Sequence, residues 1–140
     1  MPTQKESDKS YIDKLIRQFF DLFTNKNRLE LNLDLIFQLC IPETIIVKKT
    51  GLEQTVYNLT DFIGPRKKIL TDGTLTDFEE FEIEEQTIIH HNIAQRRSRY
   101  QKTGYLNNKF FSSYGAKFFH IIRTVNGWQI SSVVWEDDDA

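Results

Sequence analysis

Pairs of adjacent apolar residues recur in the segments that the sequence predicts to be strands. Neighbouring residues on a strand point to opposite faces of a sheet, so each pair places one apolar side chain on each face. Two or three short helices can cover only one of these faces, and the other would expose a larger apolar patch than monomers usually do. We therefore predict a homodimer in which a second copy covers the outer face of the sheet. The pairs are Ile45-Ile46, Ile88-Ile89, Phe118-Phe119, Ile121-Ile122 and Val133-Val134.

The first part of the chain carries helical periodicity. Apolar residues four apart within residues 11–23 predict a first helix. Ser7 or Ser10 is expected to cap this helix. Residues 1–7 are polar and charged, and we expect them to be disordered.

The segment after the first helix supports two interpretations. Leucines at alternate positions in residues 29–35 are typical of a strand. The Leu, Gln and Asp content and the stop signal at Pro42 favour a short second helix over roughly residues 33–40. A third helical segment is expected to begin at Thr60-Asp61, and Gly64-Pro65 either interrupts or restarts it.

The remainder of the chain is rich in extended segments. Asn126-Gly127 between two apolar runs is the strongest hairpin signal, and a turn is expected at residues 102–104. Helices followed by antiparallel strands make an α+β fold, which we assign to one domain over residues 1–140 with an acidic end at 138–140. The predicted strands lie at residues 44–50, 78–83, 87–101, 110–124 and 128–135.

Composition and charge exclude some classes of function. With 18 Lys plus Arg against 20 Asp plus Glu, the net charge is −2, whereas a general nucleic-acid binder normally has a basic excess. The beginning of the chain has no apolar signal-peptide core, and no apolar run is long enough to span a membrane. We expect a cytoplasmic protein with no nucleic-acid or membrane partner, in which Cys40 is a buried structural thiol.

Three parts of the chain share a pattern with a known superfamily: the first helix, residues 93–100, and an ending that contains Gly115, Asn126-Gly127-Trp128 and Trp135. In these residues and in the order of its elements, the chain resembles the nuclear transport factor 2-like superfamily, near its SnoaL-like branch. Residues 62–70 also resemble a bacterial subgroup of unassigned activity. The resemblance implies a cone, in which a strongly curved antiparallel or mixed sheet wraps around two to three N-terminal helices. It further implies a pocket at the open end, in a superfamily that includes isomerases, dehydratases, cyclases, epoxide hydrolases and non-catalytic binding modules.

Arg96 is the sharpest candidate for a binding residue. If Ala94 and Tyr100 face the helices, Arg96 shares their face and becomes a cation inside an apolar cone. Such a charge needs a partner: an anionic group on a ligand, or a salt bridge to Glu80, Glu82 or another acid. A register slip of one residue would place Arg97 there instead.

Three aromatic residues and one histidine complete the candidate site. Tyr57, Tyr100 and Trp135 have apolar bodies and polar tips that suit a pocket wall, although ordinary packing explains them equally. His120 is a weak candidate for a general base if the face that it shares with Phe118 and Ile122 lines the pocket; a hydrogen-bonded core or interface histidine is the alternative.

No metal site is expected, because the adjacent residues His90 and His91 diverge on a strand and no zinc spacing exists. The run Glu79, Glu80, Glu82, Glu84 and Glu85 is interpreted as a solvated strand side, with Phe81 and Ile83 facing inward.

The sequence thus favours a small-molecule-binding domain with a mostly apolar pocket and no cofactor. One alternative is a cofactor-free enzyme of the lyase or isomerase type, in which His120 or an acid is the base and Tyr100 or Arg96 stabilises an oxyanion or enolate. The other is a non-catalytic interaction or dimerisation module. Ligand, substrate and pathway are not specified by these residues.

Overall fold

The computed structural model describes residues 2–28 and 30–139, apart from the side chain of residue 28. A long helix and two short 3₁₀ turns, Lys26–Arg28 and Leu33–Leu35, precede a small second helix, and a third helix interrupts the strands. The alternation at residues 29–35 includes position 29, which lies outside the described residues. The helices are α1 (Gln4–Asp21), α2 (Ile36–Leu39) and α3 (Leu59–Thr71); the strands are β1 (Cys40–Thr50), β2 (Glu53–Tyr57), β3 (Leu75–His90), β4 (Ile93–Leu106), β5 (Lys109–Thr124) and β6 (Gly127–Asp137).

Helix α1 begins earlier than the sequence analysis expected. Thr3 is its N-cap, and the Thr3 hydroxyl accepts a hydrogen bond from the backbone N–H of Glu6 at 3.1 Å. The expected caps Ser7 and Ser10 therefore lie inside the helix, and residues 4–7 form its first turn rather than a disordered segment. The apolar stripe of α1 is buried against the sheet, with Ile12, Ile16, Phe19 and Phe20 each at most 2% exposed.

The second helical segment and the first strand also differ from expectation. Residues 33–35 form a 3₁₀ turn and α2 ends at Leu39, so Cys40 already starts β1. Pro42 lies within β1 at a register irregularity between Cys40 and Ile45, where a missing N–H is tolerated. Helix α3 begins one residue before Thr60, with Asn58 as its cap.

Six strands form one mixed sheet in the order β2-β1-β6-β5-β4-β3. Strands β1 and β6 run parallel, and every other neighbouring pair is antiparallel. The expected turn at residues 102–104 is wrong, because β4 continues to Leu106 and turns at Asn107-Asn108, whose positive φ angles (51° and 68°) suit a two-residue hairpin. The hairpin predicted around Asn126-Gly127 joins β5 to β6.

The curved sheet is open and has its concave face on the helices, which confirms the α+β cone expected from the resemblance. Adjacent apolar residues point to opposite faces: Phe119 is fully buried against α1, whereas Phe118 is 45% exposed on the convex side. Val133 and Val134 divide in the same way, at 1% and 40% exposed. The convex face therefore carries apolar side chains as predicted, while its coverage by a second copy stays a prediction.

The acidic run on β3 is oriented opposite to the expectation. Glu80 is buried at 7% exposed, whereas Phe81 and Ile83 are 36% and 49% exposed. The inward glutamates Glu80 and Glu82 are tolerated because each meets a cation from another strand, as described below. Cys40 is fully buried, and burial raises the pKa of its thiol to about 12, in keeping with a structural role.

Candidate functional site

The main cavity lies between the concave face of the sheet, α1 and α3, with a volume of about 440 Å³. Apolar and aromatic side chains from every one of these elements form most of its wall. Eight polar or charged side chains also reach it, which is unusual for a space enclosed by a hydrophobic core. The polar members are Lys48, Arg66, Glu80, Lys102, Ser113, Lys117, Asp137 and Asp139; among the apolar ones are Phe19, Phe23, Phe62, Phe78, Phe111 and Trp135.

A buried ion pair lies in the wall of the cavity. Lys117 Nζ is 3.0 Å from Glu80 Oε1, and both side chains are less than 10% exposed. The ammonium also lies over the rings of Tyr100 and Trp135, with its nitrogen 4.3 Å and 5.0 Å from their centroids. Burial lowers the pKa of Lys117, and the negative charge of Glu80 only partly opposes that effect.

A second polar group is built on Asp137, at the end of β6. Its carboxylate accepts hydrogen bonds from the hydroxyl of Tyr100 and from Lys102 Nζ, the latter at 2.9 Å. Burial alone would raise the pKa of Asp137, but these two hydrogen bonds outweigh it and lower the pKa. Burial and the neighbouring carboxylate raise the pKa of Tyr100, so the pair consists of a carboxylate and a neutral phenol at neutral pH.

Gly115 makes room for this Tyr100. A Cβ at Gly115 would overlap the hydroxyl and ring of Tyr100 and would lie 2.6 Å from the carbonyl oxygen of Glu136. Tyr100 and Gly115 are directly paired across β4 and β5, and Tyr100 is fully buried. The glycine therefore lets the tyrosine ring cross the neighbouring strand and reach Asp137.

Arg66 enters the cavity from α3 and lies among aromatic rings. Its guanidinium carbon is 3.8 Å from the ring centroid of Phe62, 5.4 Å from that of Tyr57 and 5.7 Å from that of Trp135. Arg66 Nη1 donates a hydrogen bond to the carbonyl oxygen of Phe62 at 2.9 Å. Burial lowers the pKa of Arg66.

Arg96 faces inward, as the sequence analysis preferred over Arg97, but it does not line the main cavity. Its guanidinium donates two hydrogen bonds to Glu82, at 3.1 and 2.6 Å, and others to Asp13 and Thr87. Glu85 lies 3.5 Å away. These partners correspond to the salt-bridge alternative, and they leave the guanidinium without a role in the main cavity.

His120 is on the wrong face for the expected general base. Its side chain is exposed on the convex side, where Nδ1 lies 3.1 Å from the hydroxyl of Ser132. The expectation failed because the face shared with Phe118 is the outer one, whereas Phe119 packs edge-on against Phe19 and Phe20. His90 is the last residue of β3 and His91 lies in the turn after it, and no cluster of three metal-ligating side chains occurs within residues 2–28 and 30–139.

Of the three aromatic candidates, one lines the main cavity and the other two lie behind its wall. Trp135 lines the cavity directly. The hydroxyl of Tyr100 donates a hydrogen bond to Asp137, which is a lining residue. Tyr57 is packed edge-on against the lining residue Phe62 at 5.6 Å between ring centroids. Trp135 thus lines the cavity, Tyr57 and Tyr100 contact residues of its wall, and Arg96 and His120 are outside it.

Comparison with solved structures shows proteins of the same architecture. A protein from Kribbella flavida superposes with a TM-score of 0.78 at 17% identity, covering 96% of this chain and 93% of its own. A nuclear transport factor 2-like superfamily protein from Salmonella enterica superposes with a TM-score of 0.75 at 14% identity, covering 94% and 91%. The chain has the nuclear transport factor 2-like fold. A further neighbour with this fold, provisionally named a ketosteroid isomerase, comes from Shewanella frigidimarina; its TM-score is 0.64 at 19% identity, covering 87% and 91%.

Sequence comparison adds nothing to this likeness of fold. No family model matches it, and the search of curated proteins returned no match. Within the described residues, no helix combines the length and apolar character needed to cross a membrane.

The four cations of the cavity were not singled out by the sequence analysis: Lys48, Arg66, Lys102 and Lys117. Two of them carried a visible signal. Lys117 is two residues from Phe119, so assigning Phe119 inward also assigns Lys117 inward. Arg66 is four residues after Phe62 on one helix, so both are expected on one side of α3.

Proposed function

We propose that this domain binds a small, mostly apolar molecule in the main cavity. The observation that carries the proposal is a cavity of about 440 Å³ with an aromatic wall and a few convergent polar groups. Ligand sites in proteins typically have this combination of size, apolar lining and sparse polar groups. A protein that needed only a packed core would gain stability by filling such a space.

Different residues of the cavity contact different parts of the ligand. Phe62, Trp135 and the other aromatic side chains contact the apolar body of the ligand. Lys117 with Glu80, and Tyr100 with Asp137, present hydrogen-bonding groups that orient its polar end. Tyr57 supports the wall through Phe62 and Arg66.

Tryptophan fluorescence tests this proposal. In a Trp128→Phe background, Trp135 is the remaining tryptophan, and binding in the cavity should change its emission. Native mass spectrometry of the purified protein, followed by a screen of aromatic and aliphatic compounds, supplies the ligands. Compounds that bind without any change in Trp135 emission would contradict the proposed location.

A pair of matched substitutions locates the site. Ile69→Phe adds bulk inside the cavity, whereas Ile45→Phe makes the same change at a position 52% exposed on the sheet. We expect Ile69→Phe to weaken binding at least about tenfold, or 1.4 kcal/mol, and Ile45→Phe to leave it unchanged. Equal effects, or an effect of Ile45→Phe alone, would contradict binding in the cavity.

A cofactor-free lyase or isomerase is the second candidate, and Asp137 favours it. The Asp137 carboxylate lines the cavity and can take a proton from a bound ketone, and once it is protonated the hydroxyl of Tyr100 can donate to the resulting oxyanion or enolate instead. The catalytic base is then Asp137, since His120 lies outside the cavity. The test is solvent-deuterium exchange into bound ketones, which Asp137→Asn should abolish; exchange that persists in Asp137→Asn would exclude this role.

The homodimer is part of the proposal as well. Its support is the convex apolar surface around Phe118 and Val134. Light scattering after size-exclusion chromatography should give a dimer that Phe118→Asp dissociates, and a monomer at micromolar concentration would contradict it. A bound partner of another kind would instead favour the interaction-module alternative. The expected cytoplasmic location stays a prediction.

A further inference from the structure

Arg66 and Lys48 differ from the other two cations of the main cavity in having no acidic partner, and of these two only Arg66 is stacked on aromatic rings of the wall. Lys102 is 2.9 Å from Asp137, and Lys117 is 3.0 Å from Glu80. Throughout residues 2–28 and 30–139, no carboxylate oxygen lies within ion-pair distance of the Arg66 guanidinium. Its hydrogen bond to the carbonyl oxygen of Phe62 uses one of five N–H donors.

The surroundings of Arg66 make this unpaired charge significant. The guanidinium is half-buried and stacked on Phe62, with Tyr57 and Trp135 also within cation–π distance. Aromatic faces stabilise a cation only modestly, whereas a buried charge normally requires a full counter-charge. An anion placed against the free N–H groups would supply one.

The charge balance of the whole lining indicates how much negative charge fits. Four cations line the cavity, namely Lys48, Arg66, Lys102 and Lys117, and three carboxylates do, namely Glu80, Asp137 and Asp139. The lining therefore carries one net positive charge. A ligand with a single negative charge balances it, while the three carboxylates would repel a more highly charged one.

We infer that Arg66 is the anion-binding residue of the cavity, and that the ligand is an apolar or aromatic molecule with one carboxylate group. The inference deepens the proposed function and rests on it. A planar guanidinium matches a carboxylate through two parallel hydrogen bonds, and the aromatic wall contacts the rest of the molecule. The anion-binding role that the sequence suggested for Arg96 thus belongs to a different arginine, on α3.

Binding of matched probes tests the assignment. The probes are 2-naphthoate and its uncharged counterpart 2-naphthamide, titrated by calorimetry and by Trp135 fluorescence. We expect the wild-type protein to prefer the carboxylate at least tenfold, and Arg66→Met to lose this preference while binding the amide within about twofold of wild type. Arg66→Lys, which keeps the charge but not the paired donors, should be intermediate.

Lys67→Met is the matched control. Lys67 is the next residue of α3, and it pairs at the surface with Asp34 at 2.5 Å. Its substitution removes one positive charge without touching the cavity lining, so the preference for 2-naphthoate should remain. Urea unfolding of each variant establishes that the compared proteins are folded.

The outcomes separate the inference from the proposed function. If both probes bind equally and Arg66→Met changes neither affinity, the assignment of Arg66 is wrong while binding in the cavity stands. If a carboxylate preference survives in Arg66→Met, another cation binds the anion and the assignment is again wrong. If neither probe binds the wild-type protein, the inference fails and the proposed function loses its aromatic ligand class.

Discussion

Arg96→Met should destabilise the protein strongly, because it removes the cation that neutralises Asp13 on α1 and Glu82 on β3. The Arg96 side chain is 2% exposed, and its shortest contact with Glu82 is 2.6 Å. Breaking a buried ion pair from one side costs about 3–5 kcal/mol. Asp13 is 41% exposed and keeps Lys9 as a partner, so most of the loss arises at Glu82. We expect the free energy of unfolding in urea at pH 7 to fall by about 3 kcal/mol.

Arg97→Met is the matched control, because the same change is made one residue along the same strand. Arg97 points outward and lies 3.7 Å from Glu84, with the two side chains 38% and 65% exposed. Exposed pairs of this kind contribute at most about 1 kcal/mol. Equal losses for the two variants, or a larger loss for Arg97→Met, would refute both the register of β4 and the structural role of Arg96.

Two further predictions concern packing and pH. Gly115→Ala should displace Tyr100 and lower the free energy of unfolding in urea by about 1–3 kcal/mol. Gly64→Ala, in open space on α3, is the control and should be neutral or slightly stabilising. Equal losses would contradict the close approach at Gly115. Burial would raise the pKa values of Asp13 and Glu85, but hydrogen bonds lower both. Lys9 and Arg96 donate to Asp13 and lower its pKa below the ordinary 3.8. Lys9 and Thr87 donate to Glu85 and lower its pKa below the ordinary 4.5. Their stabilisation is fully present above those ordinary values and is lost as the pH falls from them through the lower pKa values of the folded state, so unfolding measured from about pH 5 downward should be less pH-dependent in Arg96→Met than in wild type. An unchanged pH dependence would argue against this network.

Local patterns in the sequence were enough for the three helices and for the apolar character of both sheet faces, but they missed β2 and the turn between β3 and β4. The helical stripe on α1 and the hairpin between β5 and β6 depend on neighbouring residues alone. Adjacent apolar residues correctly implied that both faces are apolar, as Phe118 and Phe119 show. They did not say which member of a pair faces the helices, and that ambiguity led to the wrong face for His120.

The partners of the buried charges could not be predicted from local patterns. Arg96 and Asp13 are 83 positions apart in the chain, and their meeting depends on how α1 lies across the sheet. Glu82 is adjacent to a register irregularity of β3, which alternation along the strand does not reveal. Glu80 appeared solvated in the sequence because its partner Lys117 lies on a strand that is not adjacent to β3.

The central claim is that the main cavity is the ligand site, and a crystal structure of the protein with its tightest-binding compound tests it most directly. The account predicts electron density for the compound between α3 and the concave face of the sheet, in contact with Trp135. Density for the compound only on the convex face, or a cavity filled by the protein's own side chains while the compound binds in solution, would contradict it.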